Sequence, residues 1–146
     1  MLLEIRDLVS GYGNNKVLRK VNLNIEEGEI VALVGHNGGG KTTMLNTIFG
    51  FLRTWEGEIF FNKTAISNRS RAANVRDGVV LVPQGKGVFS DLIVLENLKL
   101  GGYTIKDKEN LDKKLEEVYE LFPILKERKS QMAGTLSGGE QQMLSL

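Results

Sequence analysis

A mixed α/β fold that opens on β-structure and closes on helices is predicted for this chain by three changes of texture along it. Val21, Leu23 and Ile25 alternate with Asn22, Asn24 and Glu26, the two-residue period of a strand with one buried and one wet face. Ile30-Val31-Ala32-Leu33-Val34 is apolar at every position, as in a strand of a parallel sheet covered on both faces by helices. Leu111, Leu115, Val118, Leu121 and Phe122 recur at three- and four-residue spacing among lysines and glutamates, the stripe of an amphipathic helix.

The remaining elements fall between these. Gly11-Tyr12-Gly13-Asn14-Asn15 and Glu26-Glu27-Gly28 are turn chemistry on either side of the first strand. Thr43 to Phe51 reads as a helix carrying Leu45, Ile48, Phe49 and Leu52. Glu58 to Phe61 is a short strand entered at Gly57, and Val79-Val80-Leu81-Val82 is a second buried strand ended by Pro83. The charge run from Lys106 to Lys114 is the solvated face of the late helix, which Pro123 then interrupts.

Bulk composition bounds the function. With 41% hydrophobic and 25% charged residues, the 146-residue chain has the make-up of one globular domain. Nineteen basic against eighteen acidic residues leave a formal charge of +1, which gives no electrostatic reason to expect nucleic acid as a partner. Without cysteine there is neither a disulfide framework nor a thiolate metal site. The charged N-terminus is unlike a signal peptide and no apolar run is long enough to span a bilayer, so a cytoplasmic protein is expected.

Gly35-His36-Asn37-Gly38-Gly39-Gly40-Lys41-Thr42 matches G-x-x-x-x-G-K-[ST], with an apolar strand before it and a helix after it. Glycines are needed there because successive backbone N–H groups must converge on phosphate oxygens without side chains in the way. Lys41 supplies positive charge for the β and γ phosphates, the Thr42 hydroxyl is a ligand for Mg²⁺, and the helix start that continues into Thr43 favours the anion. An ordinary Gly-rich turn does not account for three glycines followed by Lys-Thr-Thr. His36, the only histidine, fills a variable position and is read as a bystander in the loop rather than a proton carrier.

Leu136-Ser137-Gly138-Gly139-Glu140 reads, as structure, as a serine N-cap and a glycine turn opening a helix. It is also a second anion-ready helix start, about a hundred residues after the first. The two motifs together resemble the ATP-binding subunits of ABC transporters, with Gly35 to Thr42 as the Walker A loop and Leu136 to Glu140 as the LSGGQ-type signature.

The resemblance implies a P-loop NTPase core with an N-terminal antiparallel β-subdomain over residues 1–28, a core over 29–84 and a helical region over 85–146. It implies ATP and Mg²⁺ as ligands, and head-to-tail pairing with a second ATP-binding subunit, so that Ser137, Gly138 and Gly139 of one chain cover the γ-phosphate on the other. It further implies transmembrane permease partners and a place on the inner face of the cell membrane. Tyr12 takes the position of the aromatic that stacks on adenine, and Gln84 that of the glutamine that senses Mg²⁺ and the γ-phosphate.

Narrower strings, among them Val82-Pro83-Gln84-Gly85-Lys86-Gly87-Val88-Phe89, Leu95-Glu96-Asn97-Leu98 and Ala133 to Met143, resemble the smaller ATPase subunit of branched-chain amino-acid importers or its urea-importer counterpart. The amino-acid branch is the preferred reading, although Gln84-Gly85 is a spelling more typical of the urea branch. Glu140 stands where many members have glutamine, and Met143 where a basic residue is frequent. The Walker B strand with its Asp and catalytic Glu is absent before Leu146, so the chain is read as the front part of a longer subunit and as inactive alone. A non-transport ABC ATPase and a nucleotide-binding module without hydrolysis are the other readings.

Overall fold

Alternation of apolar and polar side chains makes the first elements strands, and a tight turn at Gly13-Asn14 makes them a hairpin. The computed structural model describes residues 1–146 apart from Gln84 and Lys86. β1 (Leu3–Tyr12) and β2 (Asn15–Ile25) pair antiparallel, with Leu3 opposite Ile25, Ile5 opposite Leu23 and Tyr12 opposite Asn15. The other edge of β1 takes β3 (Glu56–Phe61), with Ile5 opposite Ile59, and β3 takes the two-residue β4 (Thr64–Ala65). The sheet order β2-β1-β3-β4 is therefore antiparallel throughout, and it recruits Glu56–Phe61 from well beyond residue 28.

One face of this sheet buries Leu3, Ile5, Leu8, Leu18 and Ile59 together with Met44 and Ile66. Met44 comes from α1 (Lys41–Phe49), which starts two residues earlier than the apolar pattern suggests and stops where Gly50 caps it. The inward face of α1 is Thr43, Met44 and Thr47 with Ile48 packed beside them, while Leu45 is 45% exposed, so the apolar positions read from the sequence turn inward only in part. Hydroxyls can face inward here because they have partners within the unit. α2 (Arg71–Arg76) opens on Ser70, whose Oγ accepts the Ala73 N–H, and buried Asn74 donates to the Phe49 carbonyl at 3.1 Å.

Two expected strands are not strands. Residues 30–34 carry no ladder, with Ile30 99% and Val34 89% exposed, and residues 79–82 carry none either, although Val79 packs against the first core. A strand exists only as part of a hydrogen-bonded ladder, and among the described residues no strand lies paired with either run, the Val79 N–H donating instead to the Asn74 carbonyl at 2.9 Å. Apolar composition gave them a reason to be buried and did not supply the pairing partner.

Residues 1–81 form one compact unit and residues 82–146 a second. The second is helical: α3 (Val94–Gly101), α4 (Lys108–Leu121), α5 (Pro123–Glu127) and α6 (Gly138–Ser145), with a 3-10 turn at Ala133–Thr135. Asp107 caps α4 by accepting the Glu109 N–H, and Pro123 takes the first position of α5, where its missing N–H costs no bond. Val94, Leu115, Tyr119, Leu125, Ala133, Leu136 and Leu144 make its core. Leu111 and Val118 join the edge of this core as the stripe predicted, but Leu121, at the end of the helix, is 73% exposed.

Candidate functional site

The loop before α1 is shaped by two glycines in the left-handed region. Gly38 has φ 86° and Gly40, the N-cap of α1, has φ 84° and ψ 2°. A side chain at Gly40 would suffer twice, because its Cβ would also lie 3.1 Å from Leu18 Cδ2 on β2. That close approach seats the loop against the same hairpin that carries Tyr12, which is 49% exposed at the end of β1.

Within the loop, the Gly39 N–H donates to the His36 carbonyl at 3.1 Å, which closes a tight turn over Asn37 and Gly38. Lys41 folds back across it, its Nζ donating to the carbonyls of Gly35 at 2.7 Å and His36 at 2.8 Å. No side chain caps the start of α1 and no acidic residue sits in its first turn, so this nine-residue helix presents N–H donors and an ammonium group at one end. Such an end stabilises an anion. Thr42 is exposed there, while Thr43 is buried at 5%.

Thr42 can supply one hydroxyl oxygen to a Mg²⁺ ion, whose hard, octahedral preference is met by oxygens of phosphate and water around few protein ligands. Among the described residues no cluster of three acidic or histidine side chains offers a separate metal site. Gln84 lies outside the described residues.

The second anion-ready helix start belongs to the other unit. Ser137 caps α6: its Oγ accepts the Glu140 N–H at 3.3 Å, and Glu140 Oε2 accepts the Ser137 N–H at 2.8 Å. This reciprocal capping box is legible as Ser-x-x-Glu, and the sequence reading recognised only its serine half. The Ser137 backbone N–H above all, then its side chain and Arg128 at 3.1 Å, hold the Glu140 carboxyl below its ordinary value. Glu140 is therefore committed to the cap. Gly138 and Gly139 are exposed, with open space where a Cβ would stand.

Two supporting residues were missed. Buried Gln141 donates from Nε2 to the carbonyls of Ala133 at 3.1 Å and Leu136 at 3.2 Å, which fixes α6 to the turn before it. Asn97 clamps the segment from Phe89 to Ile93, accepting the Phe89 N–H at 2.8 Å and donating to the Ile93 carbonyl at 3.0 Å. Neither has a spacing signal, since both act on backbone brought near by folding.

Residues 18–146 match the family model described as "ABC transporter". The chain belongs to the ABC transporter family. Among curated proteins this ABC transporter chain is 42% identical over 135 residues to the high-affinity branched-chain amino acid transport ATP-binding protein BraG of Pseudomonas aeruginosa, covering 92% of this chain and 58% of that protein. It is 37% identical over 145 residues to the probable branched-chain amino acid transport ATP-binding protein LivF of Archaeoglobus fulgidus, covering 99% and 61%. A nucleotide-free ATP-binding cassette from an ABC transporter superposes with a TM-score of 0.83 at 29% identity, covering 99% of this chain and 64% of that one. The chain thus spans about three fifths of the length of these relatives. The α/β cassette fold and the family relationship agree with what the two glycine motifs implied. No helix among the described residues is long and apolar enough to cross a membrane.

Proposed function

We propose that this chain binds MgATP through Gly35 to Thr43 and, within its complete subunit, contributes to ATP hydrolysis that energises a membrane importer of branched-chain amino acids. The observation that carries the reading is Lys41 folded over the Gly35 and His36 carbonyls at an uncapped helix start. An entering triphosphate offers that ammonium a charge-assisted partner in place of two neutral carbonyls. Backbone N–H groups of Gly38 and Gly40 orient the phosphates, with His36, Asn37 and Gly39 as loop members that hold the turn, and Tyr12 stacks on the base. Mg²⁺, held by the Thr42 hydroxyl and Gln84, would neutralise charge across the β and γ phosphates.

Ser137, Gly138 and Gly139 are open to solvent, and Gly138 and Gly139 carry a second set of N–H donors beside the Ser137 hydroxyl. One triphosphate needs only one such set from each chain, which supports a head-to-tail pair of subunits, each completing the other's site. The same reading places the protein on the cytoplasmic face of the membrane beside a permease and divides its labour among residues 1–28, 29–84 and 85–146. A groove of about 660 Å³ lined by Phe89, Leu98, Tyr103 and Leu111 is a seat for a short permease helix, next to the exposed ring of Phe89. A urea or other amide importer is the second reading, favoured by the Gln84-Gly85 spelling.

Hydrolysis needs an attacking water that is oriented and relieved of its proton. Within residues 1–146 no apolar run ends in an Asp-Glu pair. Phosphate release is therefore to be compared between the 146-residue chain and the same chain extended by a Walker B region, each with a Lys41→Ala control. Turnover only in the extended chain, and lost with Lys41, is expected. Lys41-dependent turnover by residues 1–146 would place the hydrolytic groups inside this chain and overturn the assignment.

A further inference from the structure

Arg128 closes α5 as its C-cap, and its side chain reaches the start of α6. Its Nε lies 3.1 Å from Glu140 Oε1, and its Nη1 donates to Gln131 Oε1 at 3.4 Å. Gln131 is held in turn, its N–H donating to the Arg128 carbonyl at 2.8 Å and its Nε2 to Thr135 Oγ1 at 2.8 Å, two residues before Ser137. Among the described residues no other cation lies within 4.0 Å of Glu140, whose side chain is only 14% exposed. The two carboxylate oxygens are therefore divided between two tasks: Oε1 faces Arg128, and Oε2 accepts the Ser137 N–H at 2.8 Å.

A carboxylate in the first turn suits an isolated helix start, where it meets unpaired N–H groups and the positive end of the dipole. The same charge repels a second anion brought to that end, and the proposed role of Ser137, Gly138 and Gly139 is to receive a phosphate. A neutral side chain at position 140 would carry no such conflict. We propose that Arg128 is a positioning residue for ATP hydrolysis: its pairing with Glu140 preserves the Ser137 cap while cancelling the charge that the γ-phosphate on the facing subunit would otherwise meet. The assignment rests on the head-to-tail reading above and adds to it a residue outside both glycine motifs.

Steady-state ATP hydrolysis by the complete subunit tests this, with Lys41→Ala as the control for contaminants. Arg128→Gln leaves the carboxylate uncompensated and should raise KM for ATP about tenfold, the effect of a unit charge within one helical turn of a phosphate in a partly wet site. Glu140→Gln leaves the guanidinium uncompensated and should lower KM. Arg128→Gln combined with Glu140→Gln is neutral again, so its KM should return to that of the unmodified subunit, and Arg128→Lys, which keeps the charge, should stay close to it. In all four the change should fall on KM rather than kcat, and added salt should narrow the spread.

An ion pair that only holds the fold gives the opposite sign for Glu140→Gln, since breaking it from either side then costs. A KM raised by both single variants, a KM moved by neither, or a loss of kcat in Arg128→Gln that the double variant does not restore overturns the proposal. If Arg128→Gln does not fold, the sign of the KM change in Glu140→Gln alone decides. Absence of Lys41-dependent hydrolysis in the unmodified subunit overturns the ATPase reading itself, and this proposal with it.

Discussion

Thr47 Oγ1 on α1 lies 3.0 Å from Ser10 Oγ on β1, inside the first unit. Thr47 shares its single proton between Ser10 Oγ and the Thr43 carbonyl at 2.7 Å, and Ser10 donates onward to the Arg53 carbonyl at 2.8 Å. The helix that begins at the phosphate loop is thus pinned to the central strand by a chain of hydroxyls. Thr47→Val, which keeps the shape and removes the donor, should destabilise the chain by about 1–3 kcal/mol. Urea unfolding of Thr47→Val, Ser10→Ala and the double variant should give a double loss smaller than the sum. Strict additivity would show that the two hydroxyls do not act together.

Gly40→Ala should lower stability by about 1–2 kcal/mol from the left-handed backbone alone, with further cost where its Cβ meets Leu18. Gly50 has φ 95° at the other end of the same helix, so Gly50→Ala should destabilise comparably. ATP affinity separates them: only Gly40→Ala should weaken it. Equal affinities for the two variants would mean that the shape of the loop does not matter to the nucleotide.

Lys41→Ala should weaken MgATP binding by about 1.5–3 kcal/mol, the worth of a charge-assisted contact. Calorimetry on the complete subunit measures it, and unchanged affinity would remove the phosphate-loop assignment. Tyr12→Ala should weaken ATP and ADP alike by about 1–3 kcal/mol, as the loss of a base-stacking ring does. An effect on ATP alone would mean that Tyr12 senses the γ-phosphate end instead.

Glu140 makes stability depend on pH in a stated direction. Its carboxyl is held below the ordinary value in the folded chain, so its contribution is complete above the unfolded value and disappears as pH falls through the folded one. Glu140→Gln keeps an acceptor for the Ser137 N–H and does not titrate. Unfolding midpoints followed from neutral pH into the acid range should therefore fall more steeply for the unmodified chain than for Glu140→Gln. Parallel slopes would show that the carboxylate gains nothing from the cap.

The two glycine motifs and the late helix were legible because their information is local. Gly38, Gly40 and Lys41 act through backbone geometry and charge within a few residues, and Ser137 caps α6 through a bond to Glu140, three residues on. The hairpin strand from Val21 to Ile25 was legible for the same reason, since alternation alone states which face is buried. Family membership followed from the two motifs in combination, and the match over residues 18–146 agrees with it.

What the sequence by itself determined, then, was the phosphate-ready loop, the capped second helix start and the order of β-rich and helical regions. Tertiary structure alone decided which face of α1 turns inward, because Thr47 is acceptable in a core only once Ser10 and the Thr43 carbonyl meet its hydroxyl there. It decided that Glu56–Phe61 joins β1 in an antiparallel sheet, a pairing between residues about fifty apart that no local pattern encodes. It also decided that Ile30 to Val34 stands exposed among the described residues: apolar composition records a preference for burial, and a ladder forms only where another backbone supplies the other half of each hydrogen bond.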